Sequence, residues 1–192
     1  NSFELEVGLD VISENNIDYN AKRRPFANAG VMIDRKVYTA NGTAQYKGKY
    51  QTLSDILLNE KEVPPEFFIS SKELETWTYL KGSKKEKRTT KTGFEYNYSE
   101  GPVTFPDAQN RASRTIITGE GGRGASRFKH VVETKSGKHR RLTPVELERL
   151  NQFEDNHTAG QSDTKRAFFM GNALVVGVVK KLGKSLAERD SL

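Results

Sequence analysis

The sequence Arg-Arg-Leu-Thr-Pro-Val-Glu-Leu-Glu-Arg-Leu-Asn-Gln-Phe-Glu-Asp, residues 140–155, contains the clearest local signal in the chain. Thr143 is suited to cap a helix, and Pro144 to its first turn, where the missing N–H costs nothing. Glu146, three residues after the threonine, completes a capping box. The sequence therefore predicts a helix that starts at Pro144. Its buried stripe is predicted to consist of Leu147, Leu150 and Phe153.

A second block, Phe-Phe-Met-Gly-Asn-Ala-Leu-Val-Val-Gly-Val-Val, occupies residues 168–179. It predicts one helix over residues 165–181 with a broad apolar face, although so many valines also suit a buried strand. Taken separately, each block reads as an ordinary core helix. The specific signal is that both occur, in this order and at this spacing.

The upstream sequence predicts short, mixed elements. A short helix is expected over residues 52–58, and a second over residues 71–80, where Leu74, Trp77 and Leu80 share one face. Strands are predicted from alternation and β-branched content. They lie at residues 31–33, 36–39, 94–98, 114–118 and 128–133, and Ser136-Gly137-Lys138 turns the chain after the last of them.

Composition narrows the possible functions. The 192 residues carry a formal net charge of +6, which favours a polyanionic partner, and they contain no cysteine. A thiol nucleophile, a disulfide and a thiolate metal site are thereby excluded within this chain. No secretory signal, membrane span or metal-ligand spacing of the three histidines is visible, so we expect a cytoplasmic protein without a membrane partner or a metal.

Residues 81–91 form the most basic run of the chain, with six positive residues and one negative. Such a run is usually a solvated loop. Here an alternating aromatic strand, Phe94 to Tyr98, follows it, and Ser83, Thr89 and Thr90 can bond phosphate beside the cations. The combination favours contact with a nucleic-acid backbone.

A glycine-rich loop, residues 119–124, invites comparison with nucleotide-binding loops. It does not lead into a Gly-Lys-Ser/Thr helix start, so nucleotide binding is not predicted. Its glycines would let the backbone approach a DNA groove, where Arg123 and Arg127 suit guanine and Glu120 suits a cytosine amino group. The plain alternative is a mobile hairpin tip.

Together the blocks at 140–155 and 168–179 resemble the ninth and tenth conserved motifs of bacterial restriction-modification DNA (cytosine-5) methyltransferases. Upstream residues are similar to the variable target-recognition region of one subgroup, in the stretches 77–82, 96–101 and 113–118. One departure is Phe153-Glu154-Asp155, where the family usually has Phe-Pro-Asp, and the loss of the proline is expected to loosen that loop.

The resemblance implies an α+β fold. Residues 1–50 would be an irregular lead-in, residues 51–139 a small mixed target-recognition domain of short strands and helices, and residues 140–192 the two C-terminal helices. The last helix would join a Rossmann-like catalytic domain that this chain lacks. Exposed on its own, that helix is expected to promote self-association.

The chemistry implied by the family is methyl transfer from S-adenosylmethionine to C5 of a cytosine flipped out of duplex DNA. A cysteine thiolate adds to C6 in that reaction, and this chain has no cysteine. Its other landmarks, Phe-x-Gly-x-Gly, Pro-Cys-Gln and Glu-Asn-Val, are also absent. We therefore expect no catalytic residue here, an N-terminal catalytic half elsewhere, and an inert chain on its own.

The resemblance places site residues in three groups. Gly171, Asn172 and Ala173 would border the cofactor. Arg114 and Thr118 would read bases or support the reading loop. The remaining DNA-binding candidates are Lys84, Lys85, Lys87, Arg88, Lys91, Thr92, Gly93, Phe94, Tyr96, Glu120, Gly121, Gly122, Arg123 and Arg127.

Two alternatives stay open at this point. The first is the natural recognition subunit of a split methyltransferase, for which an initiator methionine is expected in place of Asn1. The second is a freestanding basic nucleic-acid-binding module. The freestanding module predicts tight specific binding without a partner, and it leaves the apolar helix at 168–179 unexplained.

Overall fold

The chain divides into two compact units, Asn1–Lys49 and Tyr50–Leu192. The computed structural model describes residues 2–4 and 27–190. Much of the predicted lead-in, residues 5–26, therefore lies outside the described residues. Short strand pairs and helices make up the rest, which agrees with the predicted α+β class.

The first unit contains an antiparallel sheet of three strands, in the order β1 (Ser2–Glu4), β3 (Lys36–Ala40), β2 (Ala29–Ile33). Asp34 and Arg35 connect β2 to β3 with φ angles of 46° and 66°. Two consecutive positive φ angles are typical of the tight hairpin turn that matches strand twist. The two strands predicted at 31–33 and 36–39 are confirmed, so this part of the lead-in is more regular than expected.

The second unit begins with short 3₁₀ turns and a helix. The turns are Leu53–Ile56, Glu60–Glu62 and Pro65–Phe67, and helix α1 spans Ser71–Lys81. The predicted helix at 52–58 is thus a single 3₁₀ turn. Ser70 caps α1, and Trp77, which lies on the face predicted from the sequence, is buried.

Two hairpins and three helices follow α1. Strand β4 (Lys84–Thr89) pairs with β5 (Glu95–Glu100), and β6 (Val131–Glu133) pairs with β7 (His139–Arg141), both antiparallel. The helices are α2 (Pro144–Leu150), α3 (Asp163–Asn172) and α4 (Val176–Asp190). Their core contains Leu53, Ile56, Val132, Leu142, Leu147, Ala167 and Met170.

A buried ion pair connects β7 to α2. The guanidinium of Arg140 donates to both carboxylate oxygens of Glu146 at 2.9 and 2.7 Å, and both side chains are inaccessible. The same carboxylate accepts the N–H groups of Thr143 at 2.7 Å and of Leu58 at 2.8 Å. The predicted capping box is therefore present, and its glutamate also fixes β7 and the segment after Leu53–Ile56.

One further carboxylate on α2 holds the loop that follows the helix. Glu148 is buried and accepts from the N–H groups of Asn156 and Thr158 and from Arg166 at 2.9 Å. Burial raises the pKa of Glu148, but the hydrogen bonds from Thr158 and Arg166 outweigh it, so the net shift is downward. The loop after α2, which lacks the family's proline, is therefore held by the Glu148 carboxylate. These hydrogen bonds oppose the expected loosening.

The prediction of a single helix over residues 165–181 is wrong, because residues 173–175 are not helical and separate α3 from α4. Asn151 binds both sides of the break. Its side-chain amide donates to the Met170 carbonyl at 2.7 Å, and its own carbonyl accepts the Val176 N–H at 2.9 Å. Both are groups that a helix end leaves without an internal partner. Asn151, which lies 19 positions before Met170, thus stabilises the interruption between the two helices. Local periodicity could not indicate this contact.

Two strand predictions were also wrong in extent. Residues 114–118 form no strand, and of residues 128–133 only Val131–Glu133 are paired. The turn predicted at Ser136-Gly137-Lys138 does connect β6 to β7. Side-chain hydrogen bonds hold these irregular segments instead.

Replacing Arg140 with Met should lower the free energy of unfolding by about 3–5 kcal/mol, because Glu146 would stay buried without its cation. Urea unfolding followed by circular dichroism measures this. The matched control is Asp155→Asn, which breaks the Arg149 pair at a carboxylate whose side chain is 47% exposed, and should cost no more than about 1 kcal/mol. Equal losses in the two variants would contradict the proposed weight of the buried pair.

Candidate nucleic-acid interface

The β4–β5 hairpin divides the basic run into two faces. Strand alternation puts Lys84, Glu86 and Arg88 on one face, and Lys85 and Lys87 on the other. The run predicted as basic is therefore mostly a strand, and its cations have different environments.

On the first face the cations are neutralised within the hairpin. Arg88 lies 3.6 Å over the ring of Tyr98 and pairs with Glu86 at 3.1 Å, which lowers the pKa of that carboxyl. Lys84 lies 3.7 Å from Glu100 and over the ring of Tyr79. Both Lys84 and Arg88, two of the predicted DNA contacts, thus also stabilise the hairpin.

The second face presents Lys85 and Lys87 to solvent, opposite Ser99 and Asn97. Lys91 is exposed near the tip. Among the residues that the structure describes, none of these three lysines has a carboxylate partner. They are the cations of the run whose charge is least compensated.

The hairpin tip is an ordered turn. Thr90 and Phe94 share a backbone hydrogen bond of 2.9 Å, and the Thr90 hydroxyl accepts the Phe94 N–H at 3.1 Å. Gly93 has a φ of +86°, a conformation that favours glycine. The hydroxyls of Thr90 and Thr92 lie 2.9 Å apart. The predicted recognition loop at Thr92-Gly93-Phe94 is therefore a defined structure.

Arg114 is placed inside the unit. Its guanidinium pairs with the buried Asp107 at 2.6 Å and donates to the carbonyls of Phe128 and Lys129. Asp107 also accepts the Val131 N–H at 2.8 Å. Of the two roles expected for Arg114, support of the reading loop fits this placement. Thr118, by contrast, is exposed at the start of the glycine-rich loop.

Glu120 and Arg127 are also directed inward. Glu120 is buried and accepts from the backbone and ring N–H of His130 at 2.5 and 2.7 Å. Arg127 pairs with Glu100 at 2.9 Å and donates to the carbonyls of Leu80 and Gly82. Both side chains are thus engaged in contacts within the unit, and contact of either with a base stays a prediction. Arg123 is exposed and stays a candidate.

Two glycines lie where the loop segment meets α3. A Cβ on Gly121 would lie 2.7 Å from the Ala167 Cβ and 2.8 Å from the Thr164 Cα. A Cβ on Gly171 would lie 2.5 Å from the backbone of Thr118. These separations are shorter than real Cβ contacts, so both positions require glycine. Gly171, predicted to border the cofactor, thus has a packing reason for being glycine.

No pattern in the sequence indicates the polar network that lies beneath the glycine-rich loop. Lys81 is 1% exposed, donates to the Lys129 carbonyl and lies over the rings of Trp77 and Phe105. Burial lowers its pKa to about 8, although Asp107 opposes the shift. Apart from Trp77, the partners of Lys81 lie far from it in the sequence, so no local pattern could indicate these contacts.

The turn predicted to border the cofactor carries little that would bind one. Asn172 is exposed, and its amide donates to the Phe168 carbonyl at 2.9 Å. A cavity of about 420 Å³ opens beside Gly171 and Ala173, and no carboxylate is among its lining residues. The described residues alone therefore do not fit a complete site for S-adenosylmethionine.

Other chemistries find no support in the described part of the chain. No cluster of histidine, aspartate and glutamate there is arranged to hold a metal ion. No helix there is long and apolar enough to cross a membrane. The three histidines are structural: His130 is buried, and His139 and His157 stack on Phe105 and Phe153.

Comparison with known proteins gives the class of this arrangement. The sequence model of the family described as C-5 cytosine-specific DNA methylase matches residues 14–188. The chain therefore belongs to that family. It is 38% identical over 167 residues to the Type II methyltransferase M.Sau3AI of Staphylococcus aureus. That match covers 87% of this chain and 39% of the relative's length. No solved structure matches.

Gly121→Ala and Gly171→Ala should each lower the free energy of unfolding by about 1–3 kcal/mol, because the new methyl group must displace backbone. Gly124→Ala is the matched control, since nothing lies within 4 Å of a Cβ there and its φ is not strained. Thermal or urea unfolding measures all three. A control as destabilised as the other two would contradict the close-approach argument.

Proposed function

We propose that this chain is the DNA-recognition and C-terminal part of a DNA (cytosine-5) methyltransferase of restriction-modification type. The observation that carries the proposal is the family match over residues 14–188 of a chain that spans 39% of its relative and has no cysteine. The whole enzyme would transfer a methyl group to cytosine in duplex DNA, and a second part would supply the nucleophile.

No other residue described here replaces the missing thiol. Ser113, His130 and Glu120 do form a chain of contacts, with 3.0 Å between the Ser113 hydroxyl and His130 Nε2. This order of groups resembles an activated serine. The Ser113 hydroxyl, however, donates its proton to the Arg114 carbonyl at 2.9 Å, so the imidazole does not activate it. We assign these residues to holding the glycine-rich loop.

The DNA-facing surface would consist of the outward face and tip of the β4–β5 hairpin together with the exposed part of residues 118–124. Lys85, Lys87 and Lys91 would neutralise phosphates, which positions the protein without reading sequence. Arg123 is the exposed arginine of the loop, and arginine is suited to guanine in the major groove. Arg114, Glu120 and Arg127 would act beneath this surface by fixing its backbone.

Helix α4 would dock on the catalytic part. Its apolar side chains are exposed to an unusual degree for a soluble helix, with Leu182 at 61% and Leu186 at 64%. Contiguous exposed apolar surface of this kind marks an interaction site. Without the catalytic part, the same surface would promote self-association, as the sequence suggested.

The cofactor site would be completed by the catalytic part. S-Adenosylmethionine, when bound, supplies the methyl group, and this chain would contribute at most the turn at Asn172 and Ala173. Gly171 would act there through its contact with Thr118. The freestanding-module alternative is less favoured, because it gives the exposed α4 surface no use.

The test is transfer of labelled methyl groups from S-adenosylmethionine to plasmid DNA, by this chain alone and by this chain mixed with the upstream part of the same gene product. We expect transfer only in the mixture. Transfer by the chain alone would contradict the argument from the missing cysteine. Specific DNA binding with no transfer in either sample would favour the freestanding module.

A further inference from the structure

Phe94 is the most exposed aromatic side chain of the β4–β5 hairpin. It is 67% exposed, and its ring has no aromatic or cationic partner among the described residues. The hairpin's other two rings are covered or less exposed: Arg88 covers Tyr98, and Tyr96 is 40% exposed. Along the face that carries Tyr98, Tyr96 and Phe94, exposure therefore increases toward the tip.

The tip holds the backbone that carries this ring in a defined turn. The Thr90 hydroxyl accepts the Phe94 N–H, and the Thr90 N–H donates to the Phe94 carbonyl. Gly93 provides the left-handed turn just before it. An apolar group fixed in solvent gains nothing for the isolated fold, because burial is what makes apolar surface stabilising. The exposure of this ring on an ordered turn is consistent with use in binding.

The hairpin has the dimensions of a groove-reading element. The major groove of B-DNA, about 12 Å wide and about 8.5 Å deep, admits a two-stranded β-ribbon. Each strand of this hairpin has six residues, and at about 3.4 Å per residue the ribbon is roughly 20 Å long. It can therefore reach the groove floor while Lys85 and Lys87 remain near the phosphates of one wall.

At the groove floor, Phe94 can meet one apolar feature. Base edges in the major groove present hydrogen-bond donors and acceptors, and the single apolar group is the C5 methyl of thymine. We propose that Phe94 is a specificity-determining residue that packs against a thymine methyl in the recognised sequence. This inference rests on the proposed DNA-recognition function and goes beyond it by assigning one base feature to one side chain.

The experiment removes the methyl group from the DNA and the ring from the protein. Duplexes bound by the wild-type chain are first selected from a random pool. Each thymine of the selected site is then replaced by deoxyuridine, and dissociation constants are measured at fixed salt. We expect one replacement to weaken wild-type binding about fourfold, the value of one buried methyl group. Phe94→Ala should lose that sensitivity.

Two variants serve as controls for the ring. Phe94→Leu keeps an apolar side chain and should retain most of the methyl sensitivity. Phe128→Ala removes another exposed phenylalanine, 54% accessible and outside the hairpin, and should behave as wild type. A selected site without thymine, or methyl sensitivity that persists in Phe94→Ala, would overturn the inference.

A further variant separates this inference from the function on which it rests. Replacing Lys85 and Lys87 together with Ala should reduce the slope of log binding constant against log salt by about 0.9 for each lost phosphate contact, with methyl sensitivity unchanged. Selective binding with this salt effect but no methyl effect would overturn the role of Phe94 alone. Failure of the wild-type chain to select any duplex, both alone and mixed with the upstream part of the same gene product, would overturn the proposed function and the role of Phe94 with it.

Discussion

The buried pair between Arg140 and Glu146 is the interaction on which the second unit depends. One carboxylate caps α2, neutralises a cation on β7, and binds the backbone at Leu58. Two charges without water are costly, and they are tolerated here because both Glu146 oxygens accept from the guanidinium and from backbone. The pair joins β7, α2 and the backbone at Leu58, so the capping motif fixes tertiary structure as well as a helix start.

The glycine-rich loop is held by contacts on two sides. From below, His130 and Asp107 hold it through Glu120 and Arg114. From the side, α3 approaches so closely that Gly121 admits no side chain. A surface that reads DNA must present its groups in a defined geometry, and binding then costs less conformational entropy. The charged residues nearest the loop serve this geometry from inside.

The sequence predicted what local physics decides. The capping box of α2, the face of α1 that carries Trp77 and the turn between β6 and β7 all depend on neighbours in the chain, and all were confirmed. The inward contacts of Glu120 and Arg127 could not be predicted, because their partners are distant in sequence or are backbone carbonyls. The break between α3 and α4 depends on Asn151, which no periodicity within the helix could indicate. Whether Phe94 or Arg123 contacts a base stays a prediction.

We propose that the β4–β5 hairpin and the loop at 119–124 together form the DNA-facing surface. Hydrogen exchange, measured by mass spectrometry with and without a selected duplex, tests it directly. We expect slower exchange in residues 84–100 and 119–124 on binding, with α4 unchanged. Protection concentrated in α4 or in the β2–β3 hairpin, with residues 84–100 unaffected, would contradict this assignment of the DNA-facing surface.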